Sequence, residues 1–340
     1  MSQTISQLSV LGWDPNFEAK FKQVAAPADV PARVTADFAA EYMVHDGIAN
    51  RRARARHVDP AVGDWVALDG EVIRAIVERR SVFSRRAAGV QTREQVLASN
   101  VDVAFVIASA TDVNVRRVER YLTIAWQSGA APVVVLTKAD VTTSSAAMRN
   151  ELEAIAAGTP VVITSSVTRE GLDDITNQLY PAKTGVLLGP SGVGKSTLIN
   201  AMLGADVMRT REVHRSGEGR HMTSHRQLVQ LPGGGMIIDT PGLREAQLWE
   251  GDDALGAAFQ DIEDLALQCR FFDCSHQTEP GCAIKAALAG GSLDPARLQS
   301  YRKLQRELRA VTAKSDARIR IEDRKKWKRI TVAMRKRVRP

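Results

Sequence analysis

The sequence predicts a multidomain chain with three fold classes in succession: a β-rich N-terminal region, a central α/β region on a mostly parallel sheet, and a helical C-terminal region. Three observations carry this. Short period-two runs bounded by Pro, Gly and Asp fill the first ninety residues. From about residue 100, apolar strand candidates alternate with helical stretches. After about residue 250 the strand candidates stop, and all three cysteines of the chain fall within the stretch 269–282.

Composition narrows the class further. Of the 340 residues, 44% are hydrophobic and 25% charged, which excludes a disordered or collagen-like chain. The net charge is +7, but residues 301–340 hold 16 Lys/Arg against 4 Asp/Glu, leaving the first 300 at −5. A mildly acidic body with a strongly basic tail suits a polyanionic partner, although a charge run of this kind also occurs as a solvated end. Three cysteines make no disulfide framework, and the N-terminus has no basic segment followed by an apolar one. The longest apolar stretches, such as 130–136, fall far short of the ~20 residues that span a bilayer. A soluble cytoplasmic protein with no membrane partner is expected.

In the N-terminal region, Ala32-Arg33-Val34-Thr35 and Trp65-Val66-Ala67-Leu68 read as strands. Arg52, Arg54 and Arg56 have period two, which fits either a strand with three guanidinium groups on one face or a solvated loop. The central strand candidates are 103–108, 133–137, 161–164, 185–189 and 236–239. Val115, Val118, Leu122 and Ala125 mark a helix over 115–127, and further helices are expected over 148–157 and 196–203. Pro232-Gly233-Gly234-Gly235 reads as a turn into the last strand. The C-terminal region reads as helices over 252–267, 283–288 and 295–311, then a basic tail containing Trp327.

The sharpest motif is Gly189-Pro190-Ser191-Gly192-Val193-Gly194-Lys195-Ser196, which fits G-x-x-x-x-G-K-[ST] between a strand and a helix that continues with Thr197. Its glycines let backbone N–H groups wrap a phosphate at a helix N-terminus. Lys195 would reach the β and γ phosphates and Ser196 would hold Mg²⁺. Asp239-Thr240-Pro241-Gly242 closes a later strand, where Asp239 can bind Mg²⁺ through a water and the Gly242 N–H can meet a γ-phosphate. Thr137-Lys138-Ala139-Asp140 matches the guanine motif [NT]-K-x-D. Asp140 would accept from N1–H and N2–H₂ of guanine, a donor pair that adenine lacks, so an ATP-using site is disfavoured. Thr164-Ser165-Ser166 ends the next strand and can supply an N–H to the guanine oxygen.

The order of these motifs is inverted. Asp140 precedes Lys195, whereas ordinary GTPases place the phosphate loop first. Both motifs can still meet, because both lie at carboxyl ends of strands of one parallel sheet. Finally, Cys269, Cys274, His276 and Cys282 offer three thiolates and one imidazole, a ligand set for a closed, structural, tetrahedral Zn²⁺ site.

The permuted order resembles the RsgA family, circularly permuted GTPases that depend on the small ribosomal subunit. The resemblance covers nearly the whole chain. Gly63-Asp64-Trp65-Val66 and Ser81-Val82-Phe83-Ser84-Arg85 resemble the family's N-terminal oligonucleotide-binding barrel, and Ala98-Ser99-Asn100-Val101-Asp102 is similar to the opening of its GTPase domain. Gly219-Arg220-His221-Met222-Thr223-Ser224-His225-Arg226 resembles its switch, usually G-R-H-T-T-T-H-R, with Met222 and Ser224 as departures. The cysteine spacing is similar to the family's zinc knuckle.

The resemblance implies a β-barrel of OB-fold type over 1–92, a circularly permuted α/β P-loop GTPase domain over 93–247, and a helical zinc-binding domain with a basic tail over 248–340. It implies that Thr223 holds Mg²⁺ and that His221 is a candidate for positioning the attacking water. Leu243 stands where Ras-like proteins place glutamine, so a slow intrinsic rate is expected, with the missing group coming from His221 or from the ribosome. The implied function is GTP hydrolysis coupled to binding of the small ribosomal subunit and rRNA, in late subunit maturation, by a monomer. The alternative is an RNA-binding assembly factor that uses GTP and GDP as a binding switch with little turnover. The segment after Gly242 should run directly into the zinc domain, which would link γ-phosphate state to subunit affinity.

Overall fold

Alternating burial along five short strands closes a barrel near the start of the chain. These are β1 (Val30–Asp37), β2 (Tyr42–His45), β3 (Asn50–Ala55), β4 (Trp65–Asp69) and β5 (Val72–Ile76). They hydrogen-bond in the order β1-β2-β3-β5-β4, and β4 returns to β1 from Val30↔Leu68 to Arg33↔Trp65. Only the β3–β5 pairing is parallel. This is the expected five-stranded OB-type barrel. Its interior is filled by Ala32, Val34, Val44, Ala53, Val66, Leu68 and Ile73, the inward members of the period-two runs.

The computed structural model describes residues 7–39, 41–86, 94–156, 158–204, 226–239 and 252–309. The chain divides into two units, Met1–Gln247 and Leu248–Pro340.

Arg52 and Arg54 of the arginine run lie on a strand, while Arg56 falls just past its end. Ala53 is buried in β3 while Arg52 and Arg54 face outward, and both ion-pair with Glu41 on the neighbouring hairpin, at 3.6 and 2.8 Å. Two helices were not expected, a short one over Leu172–Asn177 in the central region and, before the barrel, α1 (Pro15–Val24). Its signal was present in the sequence as Asp14-Pro15. The Asp14 carboxylate accepts from the N–H groups of Asn16 and Phe17, and Pro15 occupies the first helical position, where no N–H is needed. Trp13 and Phe17 then pack on Trp65, with ring centroids at 4.7 and 5.9 Å. After the barrel, β6 (Val82–Arg86) and β7 (Glu94–Ser99) make a separate antiparallel pair.

The central sheet contains β8 (Val103–Ser109), β9 (Ala131–Thr137), β10 (Val161–Ile163), β11 (Thr184–Leu188), β12 (Arg226–Gln230) and β13 (Met236–Asp239). Its order is β10-β9-β8-β11-β13-β12, parallel except for β12. The helices are α2 (Val115–Ser128), α3 (Ser145–Ile155), α4 (Leu172–Asn177) and α5 (Lys195–Leu203). Strands β8 and β11 are buried along their whole length, as expected of parallel strands covered on both faces. The chain lays down β8, β9 and β10 in one direction, then returns to set β11 and β13 on the other side of β8. The strand order therefore reverses between β8 and β11, the position where α/β sheets bind ligands.

The barrel and this sheet share hydrogen bonds. The end of β1 pairs with the start of β12 through Ala36↔Gln227 and Asp37↔Arg226. Arg33 of β1 is buried where the two meet. It donates to the carbonyls of Leu11, Gly63 and Asn100 and to the Thr184 hydroxyl at the start of β11.

In the second unit, the stretch expected as one helix over 252–267 is two, α6 (Asp252–Ala258) and α7 (Gln260–Ala266). Phe259 breaks it with a non-helical ψ of 40° and turns its ring fully inward against Tyr301 and the Arg297 guanidinium. Arg297 in turn forks onto Asp261 at 2.6 and 2.7 Å. Helix α8 (Ala283–Ala289) and a helix over 295–309 complete the described part.

Candidate nucleotide site and metal centre

The phosphate loop leaves β11 at Gly189 and enters α5 at Lys195. Gly192 and Gly194 have φ of +81° and +103°, a region that side chains disfavour, so the turn needs glycine there. An added Cβ on Gly194 would lie 3.7 Å from the Thr137 hydroxyl. The Lys195 ammonium folds over the loop and donates to the carbonyls of Gly189 and Pro190 at 2.7 and 2.6 Å. Ser196 and Thr197 continue into the first turn of α5.

The T-K-A-D segment leaves β9 and reaches the same loop. The Thr137 hydroxyl, buried, is shared between the carbonyls of Ala108 (3.1 Å) and Val193 (2.9 Å). Lys138 takes a left-handed φ of 60° and places its ammonium 3.3 Å from the Gly192 carbonyl. Ala139 donates its N–H to Thr164, tying this segment to the end of β10. The Asp140 carboxylate accepts from the buried Ser165 hydroxyl at 2.6 Å. The two motifs, in inverted sequence order, thus hydrogen-bond to one another at the carboxyl edge of one sheet.

The stretch 164–166 has a more specific role than sequence alone gave it. Thr164 and Ser165 spend their N–H groups on Leu136 and Glu170 inside the fold. The N–H of Ser166 makes no such bond among the described residues. Ser165 acts instead through its side chain, holding Asp140 and capping the N–H groups of Val167 and Thr168 at 3.1 Å.

Asp239 ends β13, which lies beside β11. Burial raises the pKa of its carboxyl, and the charge of Lys195 opposes that rise. A largely buried carboxylate at a strand end, within electrostatic reach of Lys195, could serve as a Mg²⁺ contact. His221, Thr223 and Gly242, together with Met222, Ser224, Leu243 and the tail from 318, lie outside the described residues.

In the second unit, Cys269, Cys274, His276 and Cys282 come together, their ligand atoms all within 4.8 Å of one another. The His276 Nδ1 lies 3.5 Å from both the Cys269 and Cys282 sulfurs, which are 3.9 Å apart. Around one tetrahedral Zn²⁺ bound at ordinary distances, sulfur and nitrogen would lie about 3.5 Å apart and two sulfurs about 3.8 Å. The donor set and its spacing fit one zinc ion.

Comparison with known proteins gives these sites a family. A model described as RsgA GTPase matches residues 76–249. A small ribosomal subunit biogenesis GTPase RsgA from Streptomyces avermitilis is 45% identical over 336 residues, covering 94% of this chain and 90% of its own. The protein of that name from Opitutus terrae is 41% identical over 98% of both chains. The chain belongs to the RsgA GTPase family. The crystal structure of YjeQ from Thermotoga maritima superposes with a TM-score of 0.62 at 25% identity, covering 82% of this chain and 98% of that one. YloQ, a circularly permuted GTPase, superposes with a TM-score of 0.59 at 24% identity, over 83% and 96% of the two chains, and shares the fold. As an RsgA GTPase the chain is a GTP-hydrolysing enzyme, working with Mg²⁺ and GTP. No helix among its described residues is long and apolar enough to cross a membrane.

Proposed function

We propose that this chain hydrolyses GTP to GDP and phosphate while bound to the small ribosomal subunit, in a late step of its maturation, with the subunit stimulating hydrolysis. The observation that carries the nucleotide assignment is the hydrogen bonding of Thr137 and Lys138 to the phosphate loop, which brings a guanine-reading aspartate and a phosphate cradle into one cleft. The names of the relatives supply the ribosomal setting. The working division is a barrel over 1–92, a GTPase domain over 93–247 and a zinc domain over 248–340, acting as a cytoplasmic monomer.

Asp140, oriented by Ser165, accepts from the guanine N1–H and N2–H₂, and the Ser166 N–H meets the guanine oxygen. The stem of Lys138 packs beside the base. Loop N–H groups and Lys195 hold the phosphates and stabilise charge as water attacks the γ-phosphate in line. Magnesium, arriving with GTP, would be held by Ser196, Asp239 and Thr223 and neutralises charge on the phosphate oxygens. His221 positions the attacking water and Gly242 meets the γ-phosphate. Zinc on Cys269, Cys274, His276 and Cys282 is structural. The exposed arginines of the barrel and the basic tail contact rRNA phosphates.

Single-turnover hydrolysis with and without purified small subunits tests this reading. The expected result is slow turnover alone and a rise of at least tenfold with subunits. ATP should fail to compete with GTP at a hundredfold excess. Equal rates with and without subunits would leave only the binding-switch alternative, and effective ATP competition would reject the guanine site.

A further inference from the structure

Arg226 closes the switch-like stretch and opens β12, and the nucleotide chemistry gives it no role. Its guanidinium donates to the Asp37 carboxylate of β1 and the Val96 carbonyl of β7, each at 3.3 Å. Asp37 and Arg226 are direct cross-strand partners, and their side chains are only 17% and 15% exposed. A pair this sheltered is less screened than a surface pair.

The next row along β12 leads into the site. Gln227 pairs with Ala36 of the barrel on one side and with Asp239 on the other. Neighbouring strands are about 4.8 Å apart, so the barrel backbone lies about 10 Å from that of Asp239 across a single intervening strand. Among the described residues two pairs join β1 to β12. So short a ladder depends on its side chains to hold register. A cavity of about 400 Å³ lies beside the pair, lined by Asp37, Phe38, Tyr42, Asp59, Gln95 and Arg226 among others.

We propose that Arg226 is a positioning residue for the magnesium site: its ion pair with Asp37 clamps β12 to the barrel and so sets the place of Asp239 on β13, the strand paired to the other edge of β12. The inference rests on the assignment of Asp239 to magnesium, and its test separates the two. The full-length protein is compared with Arg226→Gln, Asp37→Asn, the double variant, the exchanged pair (Asp37→Arg with Arg226→Asp) and Asp239→Asn. The readouts are the Mg²⁺ concentration for half-maximal GTP hydrolysis and the GDP affinity in EDTA.

Each single variant at the pair should raise the Mg²⁺ requirement at least fivefold, with metal-free GDP affinity within twofold of the parent. The double variant should be no worse than either single one, and the exchanged pair should recover most of the loss. A general loss of folding would lower GDP affinity in EDTA as well, which separates it from positioning. If Asp239→Asn raises the Mg²⁺ requirement while Arg226→Gln and Asp37→Asn leave it within twofold, the inference fails and the magnesium assignment stands. Additive losses in the double variant would also overturn it, since the two residues would not be acting as one clamp. If Asp239→Asn itself has no effect, both statements fall.

Discussion

Thr137 shows how much one hydroxyl can hold. Asparagine is the usual alternative in its motif, yet the shorter threonine reaches the phosphate loop because β9 brings its backbone close to Val193. Thr137→Val keeps the shape and removes the donor, leaving two buried carbonyls without their partner. The expected loss is about 1–2 kcal/mol, read as a roughly tenfold weaker GDP affinity in a fluorescent-nucleotide titration. Arg33 is the opposite case, a residue that periodicity placed on an outer face. Period two correctly put Ala32 and Val34 inside the barrel and Arg33 outside it, but outside is not solvent here. Burial pulls the Arg33 pKa down to about 10 while the charges of Asp102 and Asp64 support its ionised form. No pattern in the sequence marks where one region's outer face is covered by another. Arg33→Met would strip several carbonyls of their donor and should cost about 3 kcal/mol or more. A thermal melt would show it as a drop of several degrees in the first unit.

At the level of elements, long-range order was legible wherever local chemistry dictates it. The five apolar strands of the central sheet and the helix from Val115 follow from periodicity, and the structure places their ends within two residues of the expected ones. The break at Phe259 was not legible, because an aromatic residue at helical spacing reads as core whether or not the helix continues through it. Three of the second unit's described helices are short, α6, α7 and α8 having seven residues each, and only the helix over 295–309 is longer. Isolated helices of that length are marginal in water, so the metal is expected to contribute order-of-10 kcal/mol folding energy there. Metal analysis should find one zinc per chain. Stripping it with a strong chelator should abolish much of the helical circular dichroism of residues 248–340, while nucleotide affinity of the first unit persists. Retention of the full signal after zinc removal would contradict a structural role.

The whole molecule reads as a permuted arrangement whose meaning lay in motif order. Inverted order predicted that Thr137–Asp140 and the phosphate loop share one cleft, and hydrogen bonds join them. The shared seam between barrel and sheet was not foreseeable, because it joins residues in distant parts of the chain. Charge distribution is the other whole-molecule property. Deleting residues 318–340 removes 11 Lys/Arg and 2 Asp/Glu. Binding to the small subunit should then weaken and its dependence on salt should become shallower, since fewer counterions are released. Sedimentation binding assays over a salt series would show this, and an unchanged slope would exclude the tail as a phosphate contact.

The seam also bears on how the polypeptide assembles. Ala36 must find Gln227, about 190 residues further along, and closing a loop that long carries an entropic penalty that shorter contacts escape. The barrel, whose pairings fall within its own stretch of chain, can close while the rest is still being synthesised. Docking onto the sheet has to wait until β12 and β13 have emerged. A nascent chain therefore carries a finished barrel well before it has a complete nucleotide pocket.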